Sequence, residues 1–183
     1  AKTLGKFGRV DGCFANAGVT GRGPKSFMDI SPEEWRRVLS VNLDGTFYTH
    51  QAAAKHMVER AEKGDPGGRL VAVSSLASIS GPARNEHYAA SKGALNSLTY
   101  ALAVELARYG ITANAILPGW IETDMTENLM SNEKFAQNAG SRIPIRRWGK
   151  PDDFGGIAVY LMSEASAYHT GQCLQIDGGY WRF

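Results

Sequence analysis

The stretch "RLVAVSSLASISGPARNEHYAASKGALNSL", residues 69–98, passes from strand to loop to helix, and that passage decides the fold. Residues 69–75 are a short apolar run rich in valine, the composition of a strand buried on both faces. Residues 76–87 hold Gly81, Pro82 and small polar residues, and read as loop. From about Tyr88 the pattern predicts a long helix to Tyr109, closed by Gly110. Tyr88 and Lys92 stand four residues apart on that helix and so share a face, where a phenol and an ammonium can meet. The pair alone decides nothing. Seven tyrosines, one of them too near the last residue to count, give six chances of a lysine four residues on, so a single hit carries little weight.

Upstream, "VDGCFANAG" (10–18) reads as a short buried strand that runs into small residues, and "GVTGRGPKSFMDI" (18–30) as loop. "SPEEW" (31–35) opens a helix. Ser31 is its N-cap, Pro32 suits the first turn, and Glu34 completes a capping box. The helical pattern runs to about Ala61, unusually long, with Asn42 and Gly45 in its middle. "EKGDPGG" (62–68) is a turn. Downstream, "ITANAIL" (111–117) is a third strand stopped by Pro118-Gly119, and residues 120–148 are polar and mixed with weak helical patches. "PDDFGGIAVYLMS" (151–163) is a helix behind a proline, and "CLQIDGG" (173–179) a last strand. Strands and helices alternate, the signature of an α/β fold with a doubly wound parallel sheet covered on both faces. Such sheets bind ligands beyond the carboxyl ends of their strands. Those ends are Asn16-Ala17-Gly18, Ser74-Ser75 and Pro118-Gly119, with Tyr88 near the same edge.

A chain of 183 residues suffices for one well-buried domain. Net charge is +2 with no long basic run, so nothing asks for nucleic acid or an anionic membrane, and no apolar run approaches a membrane span. Cys13 and Cys173 lie far apart in apolar runs and read as buried free thiols, which fits a reducing compartment such as the cytoplasm. His50, His56, His87 and His169 have no metal-ligand spacing and read as structural or surface residues, so no metal is expected. Glycine makes up 21 of 183 residues, about 11% against an average near ~7%, with no repeat to explain it. Glycines at single sites point to tight turns and close approach of backbone to a ligand.

"ANAG", "VNLDG", "VSS" then "YAASK", "ILPGWIET" and "IDGG" occur in that order along nearly the whole chain. Each motif is weak alone. Together the chain resembles a short-chain dehydrogenase/reductase, a Rossmann-like enzyme using NAD or NADP. The resemblance implies catalytic roles for Asn42, Ser75, Tyr88 and Lys92. Tyr88 would be the general acid in carbonyl reduction and the base in alcohol oxidation, and Lys92 beside it would lower a phenol pKa that is ordinarily near ~10. Lys92 would also hold the nicotinamide ribose. Ser75 would bond the substrate oxygen, Ser74 being the competing serine, and Asn42 would bind a water that links Lys92 to solvent. Asn16, Ala17, Gly18, Pro118, Gly119, Ile121 and Thr123, with Tyr88 and Lys92, would contact the cofactor. Each has a plainer reading: a surface pair for Tyr88 and Lys92, a strand-end cap for Ser75, a helix kink for Asn42, a turn for 16–18, an N-cap for Thr123.

The family's phosphate-binding loop, T-G-x-x-x-G-x-G after a first strand, has no counterpart; "GVTGRG" (18–23) has the wrong spacing. The expectation is therefore a partial Rossmann-like catalytic domain over 1–183 that lacks the leading βα units, with a variable substrate lid at 120–148. Met125, Leu129, Met130 and Phe135 would line an apolar pocket or pack on the body. Arg142, Arg146 and Arg147 would form a solvated face or attract an acidic substrate or an acyl-carrier partner. The aromatic tail "YWRF" (180–183) points to a homodimer or homotetramer. The substrate would be a small molecule: a 3-oxoacyl thioester, a sugar or polyol, or similar. The rivals are a non-catalytic relative kept for binding or assembly, and an inert fragment of an enzyme.

Overall fold

A computed structural model describes residues 2–182. Four parallel strands form one sheet in the order β1-β2-β3-β4: β1 Gly12–Ala15, β2 Gly68–Val73, β3 Ile111–Pro118 and β4 Cys173–Ile176. Ala15 pairs with Ala72, Val73 with Ile116 and Pro118 with Ile176, so all four carboxyl ends open on one edge. Between the strands run α2 (Pro32–Leu39), α3 (Gly45–Ala61), α4 (Glu86–Leu106), the short α5 (Glu127–Met130) and α6 (Glu133–Ser141), and α7 (Gly155–Met162). The expected alternation and parallel sheet are present. A short α1, Lys2–Phe7, precedes β1 and buries none of its side chains; its sequence carries no apolar face to announce it.

Alternate residues of the central strands face opposite layers. Leu70, Ile111 and Ala113 pack with Met57 of α3 and Leu106 of α4. Val71 and Ile116 pack on the other side with Leu161 of α7. Met57, Leu70, Leu95, Ile111 and Leu117 are fully buried, each contributing about 1.5–3 kcal/mol. The two outer strands are less covered: Phe14 on β1 is 37% exposed, and every residue of β4 is half-buried.

Two local expectations are corrected. The long helix over 32–61 is not one α-helix: Ser40–Asp44 forms a π-turn between α2 and α3, with Gly45 N–H donating to Ser40 O. The fully buried Asn42 lies within it. Ser31 does cap α2, accepting from Glu34 N–H at 3.2 Å, but Glu34 does not close a capping box. Its carboxylate turns to the Arg22 backbone N–H at 3.0 Å and to Arg37. The long helix α4 ends as expected, with Gly110 in the left-handed region at φ 71°, where L side chains are strained.

Candidate active site

β2 delivers two serines, and the backbone separates their roles. Ser74 continues the sheet by donating its N–H to Ile116 O at 2.8 Å, and its buried hydroxyl donates to Lys92 O at 2.9 Å. Ser74 is thereby occupied in joining strand to helix. Ser75 has left the sheet. Its Oγ accepts from Ala77 N–H at 3.1 Å, capping a single 3-10 turn, and its hydroxyl lies beside the Tyr88 phenol. Tyr88 lies in the first turn of α4 beside it. Burial pushes the Tyr88 phenol above its ordinary value, and the neighbouring Ser75 hydroxyl pulls the other way.

Lys92 is 4% exposed and donates to Val73 O at 2.7 Å. Its Nζ sits 5.7 Å from the centroid of the Tyr88 ring. The expected meeting of ammonium and phenol is thus face-on to the ring, with the end of β2 as the ammonium's hydrogen-bond partner. Burial lowers Lys92 from 10.5 to about 8. Asn42 points elsewhere than expected. Its Oδ1 accepts from Val19 N–H at 2.8 Å, and its Nδ2 donates to Val19 O at 2.9 Å and to Ser91 Oγ at 3.0 Å. Both amide protons are used on protein atoms, so a water between Asn42 and Lys92 has no free Asn42 donor.

Asn16 and Ala17 are exposed at the end of β1. Gly18 closes on the site: a Cβ there would lie 3.4 Å from both Asn42 Oδ1 and Lys92 Nζ. Pro118 ends β3, and Gly119 N–H donates to Ile176 O at 3.0 Å. Ile121 is buried and bridged to Gly149. Thr123 is exposed, its hydroxyl 3.3 Å from Thr126 Oγ1. The N-cap position of α5 belongs to Thr126 rather than Thr123. Sequence reading missed Glu34, Arg37 and Asn85, which fasten the loop after β1. The i,i+3 spacing of Glu34 and Arg37 was the available signal.

In the segment 120–148, Trp120 meets the rings of Phe135, Trp148 and Tyr180 at 5.2, 5.4 and 6.3 Å. Met130 and Phe135 pack on this cluster, whereas Met125 and Leu129 are 44% and 40% exposed. The three arginines do not act as a group. Arg142 stacks on and donates to Tyr180, Arg146 donates to Ser141 O, and Arg147 pairs with Asp153. Of the aromatic tail, Tyr180 packs inside its own chain and Trp181 is 40% exposed; Phe183 lies outside the described residues. Both cysteines are free and half-buried. Among the described residues no three His, Cys, Asp or Glu side chains group to hold a metal, and no helix is long and apolar enough to cross a membrane.

A family model described as enoyl-(acyl carrier protein) reductase matches residues 1–181. L-Rhamnose 1-dehydrogenase (NAD(P)(+)) of Azotobacter vinelandii is 38% identical over 98% of this chain and 68% of its own length. 5-Keto-D-gluconate 5-reductase of Escherichia coli is 40% identical over 94% of this chain and 65% of its own length. The chain belongs to the short-chain dehydrogenase/reductase family. Members of that family are nicotinamide-dependent oxidoreductases, and this chain matches them in sequence and fold. It spans about two thirds of the length of these curated relatives. Among solved short-chain dehydrogenases, gluconate 5-dehydrogenase from Burkholderia cenocepacia, in complex with NADP and tartrate, superposes with a TM-score of 0.92 at 35% identity, over 100% of this chain and 69% of that one.

The donors at the edge fit a nicotinamide nucleoside. Lys92 spends one of its three N–H donors on Val73 O, which leaves two for neighbouring hydroxyls. Gly18 has no side chain to obstruct the space beside the ammonium.

Proposed function

We propose that this chain carries the catalytic edge of an enzyme that moves a hydride between NAD or NADP and a carbonyl or secondary alcohol of a sugar or sugar acid. The observation that carries the reading is the convergence of Ser75, Tyr88 and Lys92 at the carboxyl ends of parallel strands. The substrate class rests on the names of the relatives, a rhamnose dehydrogenase and a ketogluconate reductase.

In reduction, Ser75 donates its hydroxyl proton in a hydrogen bond to the substrate carbonyl oxygen, where negative charge grows. Tyr88 then gives its phenolic proton to that oxygen, completing an alcohol. In oxidation the phenolate takes the proton back. A bound nicotinamide ring supplies the hydride in one direction and accepts it in the other. The phenol is pushed up by burial, so at neutral pH it carries the proton that reduction consumes. Lys92, largely protonated at pH 7 with its value near about 8, provides positive charge by the ring and donors for ribose hydroxyls. Asn16, Ala17, Gly18, Pro118, Gly119, Ile121 and Thr123 form the remaining contact surface for the cofactor, and 120–148 the lid over the substrate.

A homodimer or homotetramer in the cytoplasm is the matching assembly. Half-buried β4, exposed Trp181 and exposed Val104 support the oligomer, and two free thiols support the compartment. Sedimentation of the complete natural protein as a clean monomer would count against the oligomer.

The deciding experiment assays the complete natural protein with NADH and NADPH against ketogluconates, aldose sugars and a 3-oxoacyl thioester. Tyr88→Phe should cost about 10²–10⁴ in turnover with thermal stability retained. Wild-type turnover by Tyr88→Phe would sink the assignment. A preference for the thioester would keep the chemistry and replace the substrate.

A further inference from the structure

Between β1 and Ser26 the chain has no regular structure, yet four consecutive residues have their backbone held by side chains from elsewhere. Asn42 bonds both the N–H and the carbonyl of Val19. Arg37 Nη2 donates to Thr20 O at 2.8 Å. Asn85 Oδ1 accepts from Gly21 N–H at 3.2 Å, while its Nδ2 donates to Thr20 Oγ1 at 3.1 Å. Glu34 Oε1 accepts from Arg22 N–H at 3.0 Å. Glu34 and Arg37 are joined to each other by bonds of 2.7 and 2.8 Å. Beneath the loop lies His87, fully buried and next to Tyr88 in sequence. A Cβ on Gly21 would come within 2.3 Å of its Cε1, so only glycine passes there.

Surface loops ordinarily leave much of their backbone to water. Here four side chains from α2, the π-turn and the residue before α4 replace that water. The loop's other end is Gly18, which lies against Lys92 Nζ and Asn42 Oδ1. Arg37 keeps Glu34 ionised, holding its carboxyl well down, at about 2, so the fastening to Arg22 persists across the working range of pH.

We propose that Glu34, Arg37 and Asn85 are positioning residues for hydride transfer: by fixing Thr20, Gly21 and Arg22 they keep Gly18 beside the Lys92 ammonium and keep that ammonium out of water. This rests on the catalytic reading of Tyr88 and Lys92 and adds to it the device that sets their surroundings. None of the three bonds Tyr88 or Lys92 directly, so their effect passes through the loop.

The test compares Asn85→Ala with Asn85→Asp, and Glu34→Ala with Glu34→Gln, in the complete natural protein. The second of each pair keeps an oxygen to accept the loop N–H. The alanine variants should raise the KM for NAD(P)H about tenfold, the scale of one lost hydrogen bond, with a smaller fall in kcat. Asn85→Asp and Glu34→Gln should recover most of that loss. Alanine variants that melt earlier but keep wild-type KM and kcat when folded would reduce the clamp to a structural tie and overturn the proposal. If Glu34→Ala does not fold, the Asn85 pair decides alone, with Thr20→Val as the milder companion that removes only the hydroxyl Asn85 holds. Tyr88→Phe, run alongside, separates the two failures. An active Tyr88→Phe removes the catalytic reading, whereas an inactive one with unaffected Asn85→Ala removes only the positioning.

Discussion

Two segments leave the same sheet edge, one without regular structure and one carrying the short helices α5 and α6, and they are held by different means. The loop at 16–23 is fixed by directional hydrogen bonds from Asn42, Arg37, Asn85 and Glu34. The segment at 120–148 is joined to Gly149 by backbone bonds at Trp120 and Glu122, but its helices are held chiefly by ring packing around Trp120, with its outer apolar residues left in water. Hydrogen bonds demand particular distances and angles, whereas apolar contact tolerates sliding and repacking. The first segment therefore has one geometry beside Lys92. The second can change shape or sequence without disturbing the proton-transfer groups. On the proposed reading, the contrast separates where chemistry is set from where substrate is chosen.

The contrast is broken most sharply at Asn42. Asn42→Ala removes three hydrogen bonds from a fully buried position and strands both polar groups of Val19. It should cost about 3–5 kcal/mol by denaturant titration; a loss under about 1 kcal/mol would mean that the loop needs no clamp. Next comes pH. Burial lowers Lys92 in the folded state to about 8, against 10.5 when free. Between those values the unfolded chain binds the extra proton, so folded stability rises with pH from 8 to 10.5. The burden of the buried cation is fully present below 8. Relative to Lys92→Met, the wild type should gain up to about 3 kcal/mol across that window. Urea midpoints of both proteins at pH 8 and pH 10 measure it, and parallel curves would show that the loop does not keep Lys92 dry. On the apolar side, Phe135→Ala should cost only about 1–2 kcal/mol, since Phe135 is half-buried against Trp120. It should move the KM for substrate while leaving that for cofactor alone. The smallest effect belongs to Met125→Ser with Leu129→Ser, within about 0.5 kcal/mol on melting, with any kinetic change confined to substrate preference.

Much of the framework could be read from the chain because the features that specify it are local. The valines of 69–75, the long helix closed by Gly110 and the break at Pro118-Gly119 each act within a few residues, and together they give a parallel sheet with one ligand edge. That Ser74 closes the strand while Ser75 lies beyond it was also legible, from where a strand must end. Asn42 was not. Its partners are Val19 and Ser91, 23 and 49 residues distant, and no spacing rule announces an amide turned toward a loop. Glu34 misled for the same reason. The local capping box and the distant Arg22 N–H compete for one carboxylate, and the tertiary contact wins. Lys92 shared a face with Tyr88 as the spacing required, but spacing says nothing of Val73 O, which captures the ammonium.

The π-turn at Ser40–Asp44 has a consequence for insertions and deletions. An α-helix advances about 100° per residue, and a π-turn accommodates one residue beyond that rhythm. Removing a single residue from 40–44 would let α2 run into α3 as an unbroken α-helix. The rotation of the extra residue would go with it, so the faces before and after the cut would stay in phase. Val38, buried on α2, and Met57, buried on α3, could still both face inward. Straightening the turn with every residue kept would instead swing the two faces apart by about 100°. In most connections a lost residue is absorbed as slack; here it is absorbed as winding, and what the rod gives up is the bulge that seats Asn42.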